Sequence, residues 1–295
     1  MFNFEQSTLR IMIIYNPKEW FNLIFAFHKS SAFRRLFWIL VIFAVFTTGF
    51  VFLELKYKEY FKFFDTLQIH SLVGFVLGLL LVFRTNSAYD RWWEGRKQWG
   101  ALVNSSRNFA LKLDAFLEKD QESKDFFARE IANYCFAMKE HLRGEVDFSE
   151  LENADHLKEK EHIPNAIAQG IYAKLNELYK SNKISGEQFF ILDKELKAFT
   201  DIIGACERIK KTPIPYSYNL FLKKVIFVYV ITLPLGLVNE FKYWTIPITT
   251  FIFYVFSSIE VLAEEIEDPF GKDYNDLPTD DISATIKANV KEILQ

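Results

Sequence analysis

The stretch Asp65–Gly100, DTLQIHSLVGFVLGLLLVFRTNSAYDRWWEGRKQWG, decides how the rest of the chain is read. From Thr66 to Phe83 it carries no charge and is nearly all apolar, at about the length that crosses the roughly 30 Å core of a bilayer. It then turns abruptly basic and aromatic at Arg84, Arg91, Trp92, Trp93, Arg96, Lys97 and Trp99. No proline interrupts it, so the pattern predicts one long helix that leaves an apolar environment and continues into an aqueous one. Within the apolar half, Phe75, Leu79 and Phe83 recur at i+4 and form a stripe of bulky groups. Ser71, Gly74 and Gly78 lie on the adjacent face, where small residues let membrane helices approach closely. The pattern leaves two readings open: close packing on the small-residue face with a projecting aromatic row beside it, or two faces that simply meet lipid or sister helices.

Working outward, the composition fits a chain that is part membrane and part aqueous. Hydrophobic residues make up 50% of the 295 positions and phenylalanine alone 32 of them. Yet 25% of residues are charged and the mean hydropathy is only +0.03, too polar for a protein wholly embedded in lipid. The formal net charge of −3 carries no basic excess, which argues against nucleic acid as a partner. Met1–Pro17 lacks the basic start, apolar core and small-residue cleavage site of a signal peptide. The first strongly hydrophobic segment, Leu36–Leu53 behind Arg34 and Arg35, is therefore expected to be an uncleaved first membrane helix.

Residues 1–32 are amphipathic and suit either the membrane interface or packing on an aqueous body. The loop Glu54–Asp65 is short and mixed in charge. Its lysines are outnumbered by the basic residues beside Leu36 and after Phe83, which predicts a cytoplasmic N-terminus. Between Ala101 and Thr212 no segment is apolar enough to cross, and the periodicity is that of amphipathic helices. A polar break falls at about Gly144–Pro164; helices resume at Ala166–Lys180 and, behind a Ser185 cap, at Gly186–Lys211. TPIPY (Thr212–Tyr216) ends the helical run. Two more spans follow at Tyr218–Val238, with a kink expected at Pro234 and Gly236, and at Tyr243–Ile259, before an acidic tail. The division expected is 1–90 for the amphipathic segment and first two membrane helices, 91–214 for a helical body, 215–262 for the second pair, and 263–295 for the tail. Four crossings place both termini on the cytoplasmic side, where Cys135 and Cys206 stay reduced thiols.

Three stretches together resemble the bacterial bestrophins: RTNSAYDRWWEGRKQWG from Arg84, GACERIKKTPIPYSY from Gly204, and EEIEDPFGKDYNDLPTD from Glu264. They occur in the expected order, and the resemblance extends over nearly the whole chain. The resemblance implies an all-helical, homopentameric channel in the bacterial inner membrane, with four membrane helices per subunit and a pore along the fivefold axis. It also implies a hydrophobic neck lined by three residues spaced four apart on the second membrane helix, which map onto Phe75, Leu79 and Phe83. A second constriction, the cytoplasmic aperture, maps by ungapped counting back from Gly204 onto Glu187, with Ile184 one turn earlier. In eukaryotic members a calcium clasp occupies the acidic tail, and its side-chain positions fall here on Glu265, Asp268, Asp273 and Asp276. All four offer the hard oxygen ligands that calcium takes, but Lys272, Tyr274 and Asn275 interrupt the run, which favours a solvated subunit contact at a helix end instead.

Arg84 has two readings as well, a charge at the pore mouth or a partner for carboxylates on neighbouring helices. Enzyme signatures are absent: there is no phosphate loop or nucleophile motif, and His28, His70, His141, His156 and His162 show no metal-ligand spacing. His70 lies within an apolar span, where it suits either a functional role or a hydrogen bond to a neighbouring helix. The function expected is passive permeation of small inorganic ions, with chloride or other anions implied by the family at large and monovalent cations such as sodium by some prokaryotic members. A secondary transporter is disfavoured by the unbroken second helix and the lack of internal repeats. A membrane-anchored sensor or scaffold remains the rival class. Expected partners are sister subunits, membrane lipid and the permeant ions, with no organic cofactor.

Overall fold

The computed structural model describes residues 31–57, 66–145 and 147–295, and among them every regular element is helical. The amphipathic segment read at 1–32, with His28, and most of the loop Glu54–Asp65 lie outside the described residues. The helices are α1 (Ser31–Lys56), α2 (Leu67–Phe116), α3 (Gln121–Arg143), α4 (Ile163–Lys180), α5 (Gly186–Lys211), α6 (Tyr216–Phe241), α7 (Thr245–Glu267) and α8 (Thr279–Leu294). Among the described residues three stretches are long and apolar enough to cross a membrane: α1, α2, and the run Tyr216–Glu267 that holds α6 and α7. The chain divides into two compact units: Arg91–Thr212 with Asp268–Gln295, and the described residues up to Asp90 with Pro213–Glu267.

The second of these is the apolar unit. Helix α1 buries Leu36, Leu40, Phe43, Thr47, Val51 and Glu54, a stripe stepped at three and four residues, and packs it on α7 and α6. Its other faces leave Trp38, Ile42 and Val45 exposed, as a helix surrounded by hydrocarbon would. Helices α6 and α7 are joined through a 3-10 turn, Lys242–Trp244, with Lys242 at a φ of 50°. They fold back on each other: Tyr229 packs on Phe256 at 5.6 Å between ring centroids, and Lys223 pairs with Glu264. Helix α6 continues through Pro234 to Phe241, and Gly236 is needed there, because a Cβ would meet the backbone of Leu67 at 3.2 Å. The small-residue face of α2 is filled only in part. At Gly74 the phenol of Tyr229 would lie 2.6 Å from an added Cβ, whereas Gly78 has nothing within 4 Å. His70 spans two helices, its Nδ1 2.9 Å from the Thr66 carbonyl and its Nε2 3.1 Å from the Thr232 hydroxyl on α6.

The first unit is a helical body around α3, which is buried on nearly every side. Asp120 caps its start and Gly144, at a φ of 74°, ends it in the left-handed conformation that glycine adopts without strain. Helix α4 begins at Ile163, three residues before the expected start, because His162 caps it and Pro164 fits the first turn, where no amide donor is needed. Ser185 and Gln188 form the reciprocal capping box of α5. Trp99, Phe109, Phe127 and Phe199 fill the core. Helix α8 packs along α3, its Ile286, Val290 and Leu294 buried in the same core. At the head of the body, the Arg91 guanidinium donates to the carbonyls of Ile209 (2.6 Å) and Thr212, satisfying the open end of α5.

Candidate functional site

The apolar half of α2 presents two faces of opposite fate. Leu77 and Leu81 point inward and are 1% exposed, packed with Leu222, Ile226 and Val230 of α6. Phe75, Leu79 and Phe83 point outward, at 73%, 48% and 56% exposure. The stripe is therefore not core within its own chain. Its members repeat every four residues, about 6 Å apart along the axis at 1.5 Å rise per residue.

One residue beyond the stripe the polarity of the side chains reverses, and so does their burial. Arg84 is wholly buried: its Nη2 donates to Glu267 Oε2 at 2.7 Å and its Nε lies 3.7 Å from Glu260 Oε2. Glu267 uses its other oxygen to accept the backbone N–H of Ile214 at 2.8 Å. The arginine thus ties α2 to α7 and to the start of α6, and its charge is spent on two carboxylates rather than presented at a surface. A bare guanidinium buried here would be costly; the hydrogen bond to Glu267 and the nearby Glu260 carboxylate offset part of that cost.

The two aperture residues part company. Glu187 is exposed in the first turn of α5, where it accepts a hydrogen bond from the Ser185 hydroxyl at 2.7 Å that holds its carboxyl below the usual range. Ile184 is 3% exposed and belongs to the core of the helical body.

Three of the four clasp carboxylates, those of Glu265, Asp268 and Asp276, accept from donors of their own unit, and Asp273 takes part through its backbone N–H. Glu265 accepts from the Ser31 hydroxyl at 2.9 Å and lies 3.7 Å from the Arg35 guanidinium. Asp268 pairs with Lys210 at 2.5 Å. Asp276 Oδ2 accepts the backbone N–H of Asp273 at 2.7 Å, closing a loop that is also tied by Leu277 N–H to the Pro269 carbonyl at 2.9 Å. Gly271 has no room for a side chain, since a Cβ would meet Asp276 Oδ2 at 2.6 Å. Calcium takes six to eight oxygens; the carboxylates of Glu265, Asp268 and Asp276 are already held by serine, arginine, lysine and backbone donors.

A cluster that the sequence did not reveal lies in the helical body. His141, in the last turn of α3, has Nε2 2.6 Å from Glu207 Oε1, and His162, the cap of α4, has Nε2 3.1 Å from the same oxygen. Burial raises the Glu207 carboxyl, and the hydrogen bonds from the two imidazoles outweigh that and hold it below the usual range. Among the described residues this is the one group of three or more potential metal-ligating side chains whose ligand atoms lie within 4.8 Å of one another. The two thiols offer no comparable chemistry: both are buried and unbridged, and burial pushes Cys206 up to about 12.

Comparison with known proteins matches residues 12–292 to the family described as Bacterial/Fungal Bestrophin protein. A protein of Nostoc sp. named voltage-dependent anion channel-forming protein is 34% identical over 94% of this chain and 92% of its own length. One from Salmonella typhi with the same description is 30% identical over 96% and 94%. A crystal structure of a bacterial bestrophin homologue from Klebsiella pneumoniae superposes with a TM-score of 0.82 at 26% identity, covering 88% of this chain and 98% of that one.

Proposed function

Since the chain belongs to the Bacterial/Fungal Bestrophin family, we propose that it forms a homopentameric channel conducting small monovalent anions such as chloride. The observation that carries the proposal is the outward stripe of Phe75, Leu79 and Phe83, three large apolar side chains that the described residues leave about half exposed or more. One helix cannot enclose a bore, but five copies around an axis make three stacked apolar rings. Water in so narrow an apolar passage loses hydrogen bonds it cannot recover, so the neck gates by dewetting. The names of the Nostoc and Salmonella relatives favour anions. No covalent chemistry and no cofactor enter this mechanism, and the acidic loop serves as a structural contact without calcium.

In this reading α1, the apolar half of α2, α6 and α7 make four crossings of the inner membrane, with lipid on the exposed faces of α1. Both termini and the helical body face the cytoplasm, in line with the basic residues flanking α1 and following Phe83. Reporter fusions after Glu54 and Lys119 should report opposite sides; the same side for both contradicts the topology.

One observation favours monovalent cations instead. Arg84 is neutralised by Glu267 and Glu260, whereas Glu187 is exposed, and a ring of glutamates attracts cations. Purified protein in a planar bilayer under a potassium chloride gradient separates the two. A reversal potential near that of chloride supports the anion channel, one near that of potassium the cation channel, and absence of conductance a scaffold.

A further inference from the structure

We propose that His141, His162 and Glu207 form a binding site for a divalent transition-metal ion of the zinc class. Two imidazole nitrogens converge on one carboxylate oxygen, at 2.6 and 3.1 Å, with the ring centroids 4.3 Å apart and the ring planes tilted by 35°. The ligands come from the end of α3, the cap of α4 and the last turns of α5, so an ion here would pin three helices of the body to one point. Two neutral nitrogens and one carboxylate are the donor set of zinc sites and suit cobalt and nickel as well; calcium and magnesium prefer oxygen alone.

The geometry needs little change to admit the ion. Ligand atoms about 2.1 Å from a tetrahedral zinc lie about 3.4 Å from one another. The present separations are those of hydrogen bonds, so the ion replaces the two bridging protons and spreads the nitrogens and the oxygen apart by less than about 1 Å. The side chains are 25%, 30% and 21% exposed, which leaves an entry path and a fourth position for water. Lys211, 3.7 Å from Glu207 Oε1, is 72% exposed and swings into solvent when the ion takes its place.

The site carries one built-in cost. His162 Nδ1 accepts the backbone N–H of Asn165 at 3.2 Å, which fixes the imidazole proton on Nε2 in the metal-free protein. An ion at Nε2 sends a proton to Nδ1 and releases the cap, which lowers the affinity by about tenfold relative to an uncommitted histidine.

The test is cobalt titration of the detergent-solubilised full chain after removal of any affinity tag. Wild type is expected to develop the visible absorption of tetrahedral cobalt at one equivalent per chain, displaced by zinc. His141→Ala loses the signal. His162→Asn keeps a strong helix cap but no imidazole, so it retains the wild-type melting temperature while losing affinity by more than the roughly 10–100-fold that an outer-shell partner costs. His156→Ala, an exposed histidine of the preceding loop, leaves binding intact. No absorption in wild type, or absorption that survives both His141→Ala and His162→Asn, overturns the proposal.

Discussion

Replacing Arg84 with methionine separates a structural arginine from a pore charge. Arg84 is wholly buried and tied to Glu267 at 2.7 Å, with Glu260 at 3.7 Å. Methionine fills most of the volume but leaves Glu267 facing an apolar contact. Removing one partner of a buried pair costs about 3–5 kcal/mol, a large share of the roughly 5–15 kcal/mol that holds a typical domain together. Adding Glu267→Gln removes the stranded charge while its side-chain carbonyl can still accept from Ile214 N–H, so the double variant should recover much of that loss. Fluorescence-detected size exclusion after heating compares wild type, both single variants and the double. The single arginine variant should lose its oligomer at markedly lower temperature, and the double should lie between it and wild type. An Arg84→Met protein that is as stable as wild type but shows a shifted reversal potential would refute the reasoning, because it would mean that the guanidinium acts on permeating ions.

Three further outcomes follow from the contacts. Gly74→Val should destabilise the apolar unit through collision with the Tyr229 phenol, 2.6 Å from the new Cβ, and Tyr229→Ala should relieve it; melting of the two variants and their combination checks this. Burial raises the Asp280 carboxyl, but hydrogen bonds from Arg143 and Lys139 outweigh it and hold the group well below the usual carboxylate range. A lowered folded pKa contributes stability that is present above the unfolded value of about 3.9 and lost as pH falls through the folded one. Asp280→Asn should therefore melt below wild type at pH 7, with the gap closing as the pH drops below about 4; a gap that is constant with pH contradicts the ion pair. Chelation of calcium should leave conductance unchanged, and a calcium requirement abolished by Asp273→Ala would contradict the structural reading of the acidic loop.

Much of this architecture is legible in local sequence. The uncharged run before Arg84, the Ser185 cap and the proline break at Thr212–Tyr216 each act within a few residues of themselves, and α5 begins and ends where those signals place it. What stayed hidden depends on distant partners. Arg84 is compatible with a pore mouth or an ion pair until Glu267, 183 positions away, is placed beside it. The His141, His162 and Glu207 cluster has no ligand spacing because its members lie 66 and 45 positions from the carboxylate on separate helices. His162 hid for another reason: it stands as the cap of α4, a place where sequence reading looks for Ser, Thr, Asp or Asn. Counting from Gly204 fixes the position of Ile184 but not its burial in the core of the body, which depends on residues distant in sequence.

The central claim is that Phe75, Leu79 and Phe83 line the conducting path. Replacing all three with alanine removes only side chains that are exposed in the single chain, so it leaves the packing of α2 on α6 intact. Single-channel recording of that variant beside size exclusion measures the claim directly. An oligomer of wild-type size with larger or ungated currents is the predicted result, because smaller rings let water fill the neck. An oligomer of wild-type size with unaltered currents, or a collapsed oligomer with none, would contradict it.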